Sequence, residues 1–326
     1  MVGVSEATVS RVLNGRDGAS SQTRAAVLTA LDVLGYERPT KLRGARARQV
    51  GLVLPELANP IFPAFADVAG TVLAQRGCMP VLCTRTVGGV AEEDYLEMLL
   101  DQHASGIIFA GGNYAERNAP HAHYATLAER GLPVVMVNAA VEGLPFPSVV
   151  CDDVLAMELA VGHLASLGHR RIAFLLGPVD HIPSERKLQG AREACARRGV
   201  AFDESLVARS TYTVEGAQAS ARPLIERGAT AIACASDLIA LGAIRAARRQ
   251  GLEVPRDLSV VGFDDSPLMN CTEPPLTTVR QPVEAMARTA VDLLLAQVPG
   301  REGPPSETVF DPELVVRHST AVAPTR

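Results

Sequence analysis

At 326 residues the chain exceeds one average domain and suits two or three compact units. Hydrophobic residues make up 47% and charged residues 21%, with no low-complexity stretch, which calls for a packed globular protein and excludes a disordered one. The net charge of −5 argues against nucleic acid as a partner only if it is evenly spread, and it is not. Residues 1–50 carry eight basic side chains against four acidic ones, a balance of +4, which leaves −9 on the remainder. A basic head on an acidic body is the asymmetry expected when one end meets phosphate. The six cysteines lack any CxxC spacing and fit buried thiols in a reducing compartment better than a disulfide frame or a zinc site. Met1 runs straight into Val2-Gly3-Val4-Ser5 with no export signal, and no apolar run reaches the roughly 18 residues of a membrane span. The expectation is a soluble, cytoplasmic protein.

The first predicted element covers residues 5–14. Ser5 can cap its first amides, Glu6 favours the positive end of the dipole, and Gly15 closes it. Val4 and Val9 have the spacing of a hydrophobic staple. Val9, Val12 and Leu13 form the inward stripe, while Ala7, Ser10, Arg11 and Asn14 fall on the opposite face. Those four are small or hydrogen-bonding, as a helix face entering a major groove requires. A second helix follows, with Ser20 as its cap and Val27, Leu28, Leu31 and Leu34 as its stripe. Residues 38–48 are basic, bury almost nothing and read as a linker.

The runs "GVSEATVSRVLNG", "TRAAVLTALDVLGYERP" and "LRGARARQVGLVLPELANPIF" resemble, in order and spacing, the head of the lactose repressor/galactose repressor family. The resemblance implies a DNA-reading helix over 5–14, with Ser5, Glu6, Ala7, Ser10, Arg11 and Asn14 at the DNA. Arg11 could fork onto a guanine edge, and Leu42, eight residues before Val50, is placed as a minor-groove wedge. Two features depart from the family pattern. Its first reading helix precedes the "GVS" run, where only Met1 and Val2 stand here, so the coding start is expected to lie upstream. Without that helix, leaving two of the inward side chains exposed forfeits about 3 kcal/mol. The tract from Pro39 to Leu42 is also about three residues shorter than the family norm, and Gly44 weakens the hinge helix.

Beyond residue 49, short β-rich runs alternate with amphipathic stretches. Strands are predicted at 50–55, 80–84, 106–110, 133–138, 171–177, 231–235 and 258–264. Helices are predicted near 64–76, 92–103, 121–130, 154–167, 185–198, 215–227, 237–250 and 283–297. Such alternation is α/β, with doubly wound parallel sheets whose ligands sit beyond the carboxyl ends of the strands.

"LASLGHRRIAFLLGP", "ASDLIALGAIRAARRQGLEVPRDLSVVGFDDSP" and "PPLTTVRQP" resemble the same family, so the likeness covers nearly the whole chain. It implies a small all-α head and hinge over 1–48 and a two-lobed sensor like periplasmic binding proteins over 49–326. The first lobe is expected at about 49–148 and 279–304, the second at about 149–278 and 305–326. A small-molecule effector, a sugar or related metabolite, would bind between the lobes. Carried over by position, its contacts are Phe62, Asn138, Lys187, Tyr212, Ser236, Asp237 and Asp264. Lys187 stands where the family has an arginine, which exchanges a fixed fork for a point charge. The function implied is a homodimeric, sequence-specific DNA-binding regulator, a repressor, acting on a near-palindromic operator, with no catalytic residue, metal or cofactor and no membrane.

Two other readings compete. An enzyme would need a nucleophile elbow, a Walker loop or a GxGxxG, and Ala110-Gly111-Gly112-Asn113 lacks the third glycine. His121 and His123 near Glu129 invite a metal, but positions i and i+2 of a helix do not face one ligand. A sensor that has lost DNA binding is the alternative, and it leaves Arg11 and the basic hinge without a use.

Overall fold

The computed structural model of the chain describes residues 4–13, 18–33, 48–85, 89–297 and 306–325. The head contributes α1 (Glu6–Leu13) and α2 (Ser21–Val33), which pack together with Val12 and Val27 buried. Each helix begins at a serine whose Oγ accepts an amide of the first turn. Ser5 takes the Thr8 N–H at 3.3 Å and Ser20 the Thr23 N–H at 3.1 Å. Of the residues expected at DNA, Arg11 is exposed on α1, and Glu6, Ala7 and Ser10 lie along the same helix. Asn14 and Leu42 lie outside the described residues.

The body opens with β1 (Arg48–Leu54), α3 (Ile61–Gln75), β2 (Cys78–Thr84), α4 (Glu92–Asp101), β3 (Gly106–Phe109), α5 (Ala122–Glu129), β4 (Val134–Val137) and β5 (Ser148–Cys151). It continues through α6 (Asp153–Ser166), β6 (Ile172–Leu176), α7 (Ile182–Arg198), β7 (Val207–Arg209), α8 (Val214–Glu226), β8 (Ala231–Cys234), α9 (Asp237–Arg249), β9 (Ser259–Asp264) and β10 (Thr277–Arg280). It ends with α10 (Val283–Ala296), β11 (Glu307–Phe310) and β12 (Glu313–Val315). Two six-stranded sheets result, ordered β11-β5-β4-β3-β1-β2 and β12-β10-β9-β8-β6-β7. All pairings are parallel except β10 with β12. The central strands β3, β4, β6, β8 and β9 are buried along their whole length, because helices cover both faces of such sheets.

The chain passes from one sheet to the other three times: at Asp152, at Gln281-Pro282 and at Asp311-Pro312. After the second passage α10 packs on α3 and on β3, β4 and β5, so it belongs with the first sheet. Sheet membership therefore departs from the expected division in three places. β5 stays in the first sheet past residue 148, β10 stays in the second past 278, and β11 pairs with β5 although 305–326 was assigned to the second lobe. Four-residue strands with no alternation of their own, such as β5 and β10, leave no boundary for a sequence pattern to mark.

The last residues are stitched beneath the second sheet. Ser319 donates to the Val260 carbonyl (2.6 Å), and buried His169 meets Thr230, Ser259 and the Ala321 carbonyl at 3.0–3.1 Å. Five cysteines are buried and Cys271 is exposed, all as free thiols.

Candidate ligand site between the sheets

The carboxyl ends of strands from both sheets look into one cavity of about 740 Å³, counting the part that opens to solvent. From the first sheet's side come Asn59 in the loop after β1, Phe62 in the first turn of α3, the Gly111-Gly112 turn after β3, and Asn138 after β4. From the second come Tyr212 beyond β7, Ser236 after β8 and Asp264 at the end of β9. Ligands of open parallel sheets bind at such ends.

Backbone strain concentrates at this rim. Asn138 and Asp264 hold φ of 71° and 117°, and Gly111 and Gly112 hold 119° and 137°. A Cβ at Gly112 would stand 2.5 Å from Glu92 Oε2, and one at Gly111 would stand 2.9 Å from Pro55. The glycine turn is supported from behind by a buried polar network. Tyr114 accepts the Gly111 N–H at 2.7 Å and reaches the carbonyl ends of β3 and β4, and Tyr124 donates to the buried Glu92. His123 leans on Glu92 and Glu93, while His121 meets the Asn113 and Glu116 carbonyls at 3.1 Å. Both histidines thus serve the wall of the cavity.

Six of the seven residues expected at an effector line this cavity: Phe62, Asn138, Lys187, Tyr212, Ser236 and Asp264. Asp237 does not. Its carboxylate is buried beneath the floor, where it accepts the Thr278 hydroxyl (2.6 Å) and the Ser266 N–H (2.7 Å). Ser236 has a structural duty as well, because its Oγ caps α9 through the Ile239 N–H at 3.2 Å.

Asp264 is 5% exposed. Gln281 donates to its Oδ1 at 2.6 Å, whereas Oδ2 is buried with no partner. Burial, reinforced by the neighbouring Asp237 charge, pushes its pKa well above the carboxylate range. An unpartnered buried oxygen facing a cavity is costly unless a ligand or water completes it.

Lys187 reaches the cavity from α7 but is not free there. At 2% exposure it forms an ion pair with the buried Asp153, the first residue of α6, and its ammonium lies 3.7 Å from the centroid of the Phe263 ring. Burial alone would favour the neutral amine. The Asp153 and Tyr212 side chains outweigh it, and the lysine pKa stands above its ordinary value. Tyr212 completes this corner, with its hydroxyl 3.0 Å from Ser184 Oγ and 3.3 Å from His181 Nδ1. Burial lowers His181 to about 4, helped by the Lys187 and Arg209 charges, so the imidazole is neutral at physiological pH.

The sequence reasoning missed Asp153, His181 and Gln281 at this site. Asp153 and Gln281 stand at passages between the sheets, next to strands that the hydrophobic pattern had not marked. A second link joins the halves. The Arg117 N–H donates to the Asp180 carbonyl (2.9 Å), and Asn118 donates to the Asp180 carboxylate (2.6 Å).

Residues 1–39 match the family model described as bacterial regulatory proteins, lacI family, and residues 161–320 match the periplasmic binding protein-like domain. The chain is 54% identical to the HTH-type transcriptional regulator reg1 of Streptomyces lividans, over 99% of this chain and 95% of that protein. It is 52% identical to the HTH-type transcriptional regulator MalR of Streptomyces coelicolor, with the same coverage. Among solved structures it resembles the complex of the transcriptional regulator CelR with cellobiose, with a TM-score of 0.74 and 35% identity over 98% of this chain and 97% of that one. It also resembles the lac repressor dimer bound to operator and an anti-inducer, with a TM-score of 0.72 and 28% identity over 98% of this chain and 96% of the other.

Proposed function

The chain belongs to the lacI family of bacterial regulatory proteins, and from that premise we propose that it is a homodimeric repressor whose operator affinity is set by a sugar held between two lobes. The lobes follow the sheets: the described residues within 48–151 and 283–310 form one, and those within 153–280 and 313–325 the other. α1 enters the major groove of each half-site, with Arg11 reading a base edge and Ser5, Glu6, Ala7, Ser10 and Asn14 beside it, while Leu42 wedges the central minor groove. The regulator acts by binding rather than by catalysis and works in the cytoplasm, where its operator is. Two resemblances support the pairing of operator and sugar: the lac repressor structure is a dimer on its operator, and the CelR structure holds cellobiose.

The observation that carries the reading is the unpartnered Oδ2 of Asp264 at the wall of a cavity lined from both sheets. A hydroxyl there satisfies a buried oxygen, in a cavity whose lining comes from both sheets. Ligand energy can then bias the angle between lobes, and with it the spacing of the heads.

Fluorescence anisotropy on the DNA upstream of the gene, with and without cellobiose, maltose, trehalose or glucose, tests the proposal. Arg11→Ala should cost about 10- to 100-fold in preference for the operator over competitor DNA, the worth of one bidentate base contact. Asp264→Ala should keep operator affinity while weakening the sugar response about 10-fold or more, the worth of a hydrogen bond to a buried carboxyl. A normal sugar response from Asp264→Ala sinks the assignment of the site.

A further inference from the structure

The charges around the cavity have a consequence for which sugars can enter. Among the described residues, three carboxyl groups line it, from Glu56, Asp153 and Asp264, against a single cation, Lys187. That cation is spent, with Asp153 on one side and the face of Phe263 on the other. His181 supplies no charge. Arg209 is paired with Glu185 (2.5 Å), and Arg85, outside the lining, donates to Asn113 (2.8 Å) and sets its charge against Glu56.

Helix N-termini are the other usual source of positive potential for an anion. Those of α6 and α9 are already occupied. Asp152 caps α6 through the Leu155 N–H (2.9 Å) and Asp153 follows it, while Ser236 caps α9 with Asp237 next in line. At α3 the Ile61 N–H points to Asn59 Oδ1 at 3.4 Å.

We infer that the cleft accepts only uncharged polyhydroxyl ligands and rejects their phosphate esters, with the Asp153–Lys187 pair as the specificity device. A phosphate carries about −1.5 to −2 charges and needs charge-assisted donors, ideally arginine forks. Among the described lining residues it would meet carboxyl groups and no unpaired cation instead. The inference rests on the proposed sugar site and narrows its ligand class.

The test uses the full chain in chloride buffer near pH 6.5. In one arm, calorimetry compares glucose with glucose 6-phosphate and trehalose with trehalose 6-phosphate, alongside cellobiose and maltose. In the other, thermal unfolding is followed with inorganic phosphate against chloride of equal ionic strength, for the natural chain and for Asp153→Ala. Any sugar that binds should bind at least about 100-fold more tightly than its phosphate ester, two like charges in place of none. The natural chain should ignore inorganic phosphate. Asp153→Ala, in which a bound phosphate can replace the lost carboxylate and let Lys187 take its proton back, should gain about 2 °C or more from phosphate by mass action.

A phosphate ester that binds the natural chain more tightly than its parent sugar overturns the inference and leaves the sugar reading standing. If no sugar of either kind binds, the sugar reading falls and the phosphate arm still decides the inference. Stabilisation of the natural chain by phosphate, or indifference of Asp153→Ala, overturns it. Should Asp153→Ala fail to fold, the response of the natural chain to phosphate decides it alone.

Discussion

The buried pair of Asp153 and Lys187 offers a perturbation whose size and sign both follow from its surroundings. Lys187→Met keeps the aliphatic stem and leaves the Asp153 carboxylate without a counter-charge at 6% exposure. A bare carboxylate there is too costly to persist, so the group takes up a proton. Near pH 7 that uptake costs about 4 kcal/mol relative to a free aspartate, which caps the loss. Near pH 5 the same uptake costs only about 1.5 kcal/mol. Asp153→Ala behaves in the opposite way. The stranded lysine must shed a proton, at about 4.6 kcal/mol near pH 7 and more as the pH falls. The sign follows directly: a raised carboxyl pKa loses stability as pH rises, and a lowered amine pKa loses it as pH falls. Urea unfolding followed by far-UV circular dichroism, in phosphate-free buffer near pH 5 and pH 7, reads both. The two single variants should show opposite pH slopes, and the double variant should be nearly flat. It should also recover at least about 2 kcal/mol of the summed losses as coupling. Additive losses, or parallel slopes, refute the claim that the two groups are charged in the fold because of each other.

Two further substitutions probe the frame around the site. Gly242→Ala puts a Cβ 2.4 Å from Ala217 Cβ and 2.6 Å from the Val214 carbonyl, where α9 crosses α8. The crowding should cost about 1–3 kcal/mol despite alanine's better helix propensity, and an unchanged urea midpoint would rule out so close a crossing. His181→Gln should flatten the acid limb of stability. The folded imidazole titrates at about 4, below the unfolded value near 6.5, so its share of stability is complete above 6.5 and is lost as pH falls towards 4. Asp237, raised to about 6 chiefly by burial, works in the opposite sense below that value, so the comparison is variant against natural chain at each pH. Identical acid limbs would mean that His181 titrates normally.

The strands and helices with strong patterns were legible because their physics is local. The Val50–Leu54 and Leu258–Asp264 runs are short, rich in valine and leucine and mostly apolar, and the stripes of α9 and α10 repeat at helical spacing. β7 and β12, three residues each, carry no period to read, and β5, β10 and β11 are only four long. Their pairing is decided by residues far away in the chain.

The site divides in the same way. Phe62, Asn138 and Asp264 stand at strand ends or just beyond them, and the family resemblance together with that placement points to them. Asp237 was read as a lining residue because it follows Ser236 at a strand end. Its side chain turns inward because Thr278 and Ser266, some 30–40 residues away, offer it two hydrogen bonds. The charge of Lys187 was read from its sequence position. Its neutralisation depends on Asp153, 34 residues earlier, and no spacing rule joins those two.

The passage at Asp311-Pro312 also bears on how the protein is made. β11 closes the outer edge of β5, and β12 closes the outer edge of β10. Both closures fall within one run of nine residues, Glu307 to Val315. On the ribosome, the β5 edge therefore waits for a partner synthesised roughly 160 residues later, about 8–30 s at ordinary elongation rates. During that interval a parallel strand with unpaired amides stands open to other chains. The two sheets are thus completed together, by one short run of chain. A nascent chain that stalls before Glu307 leaves both sheets unfinished.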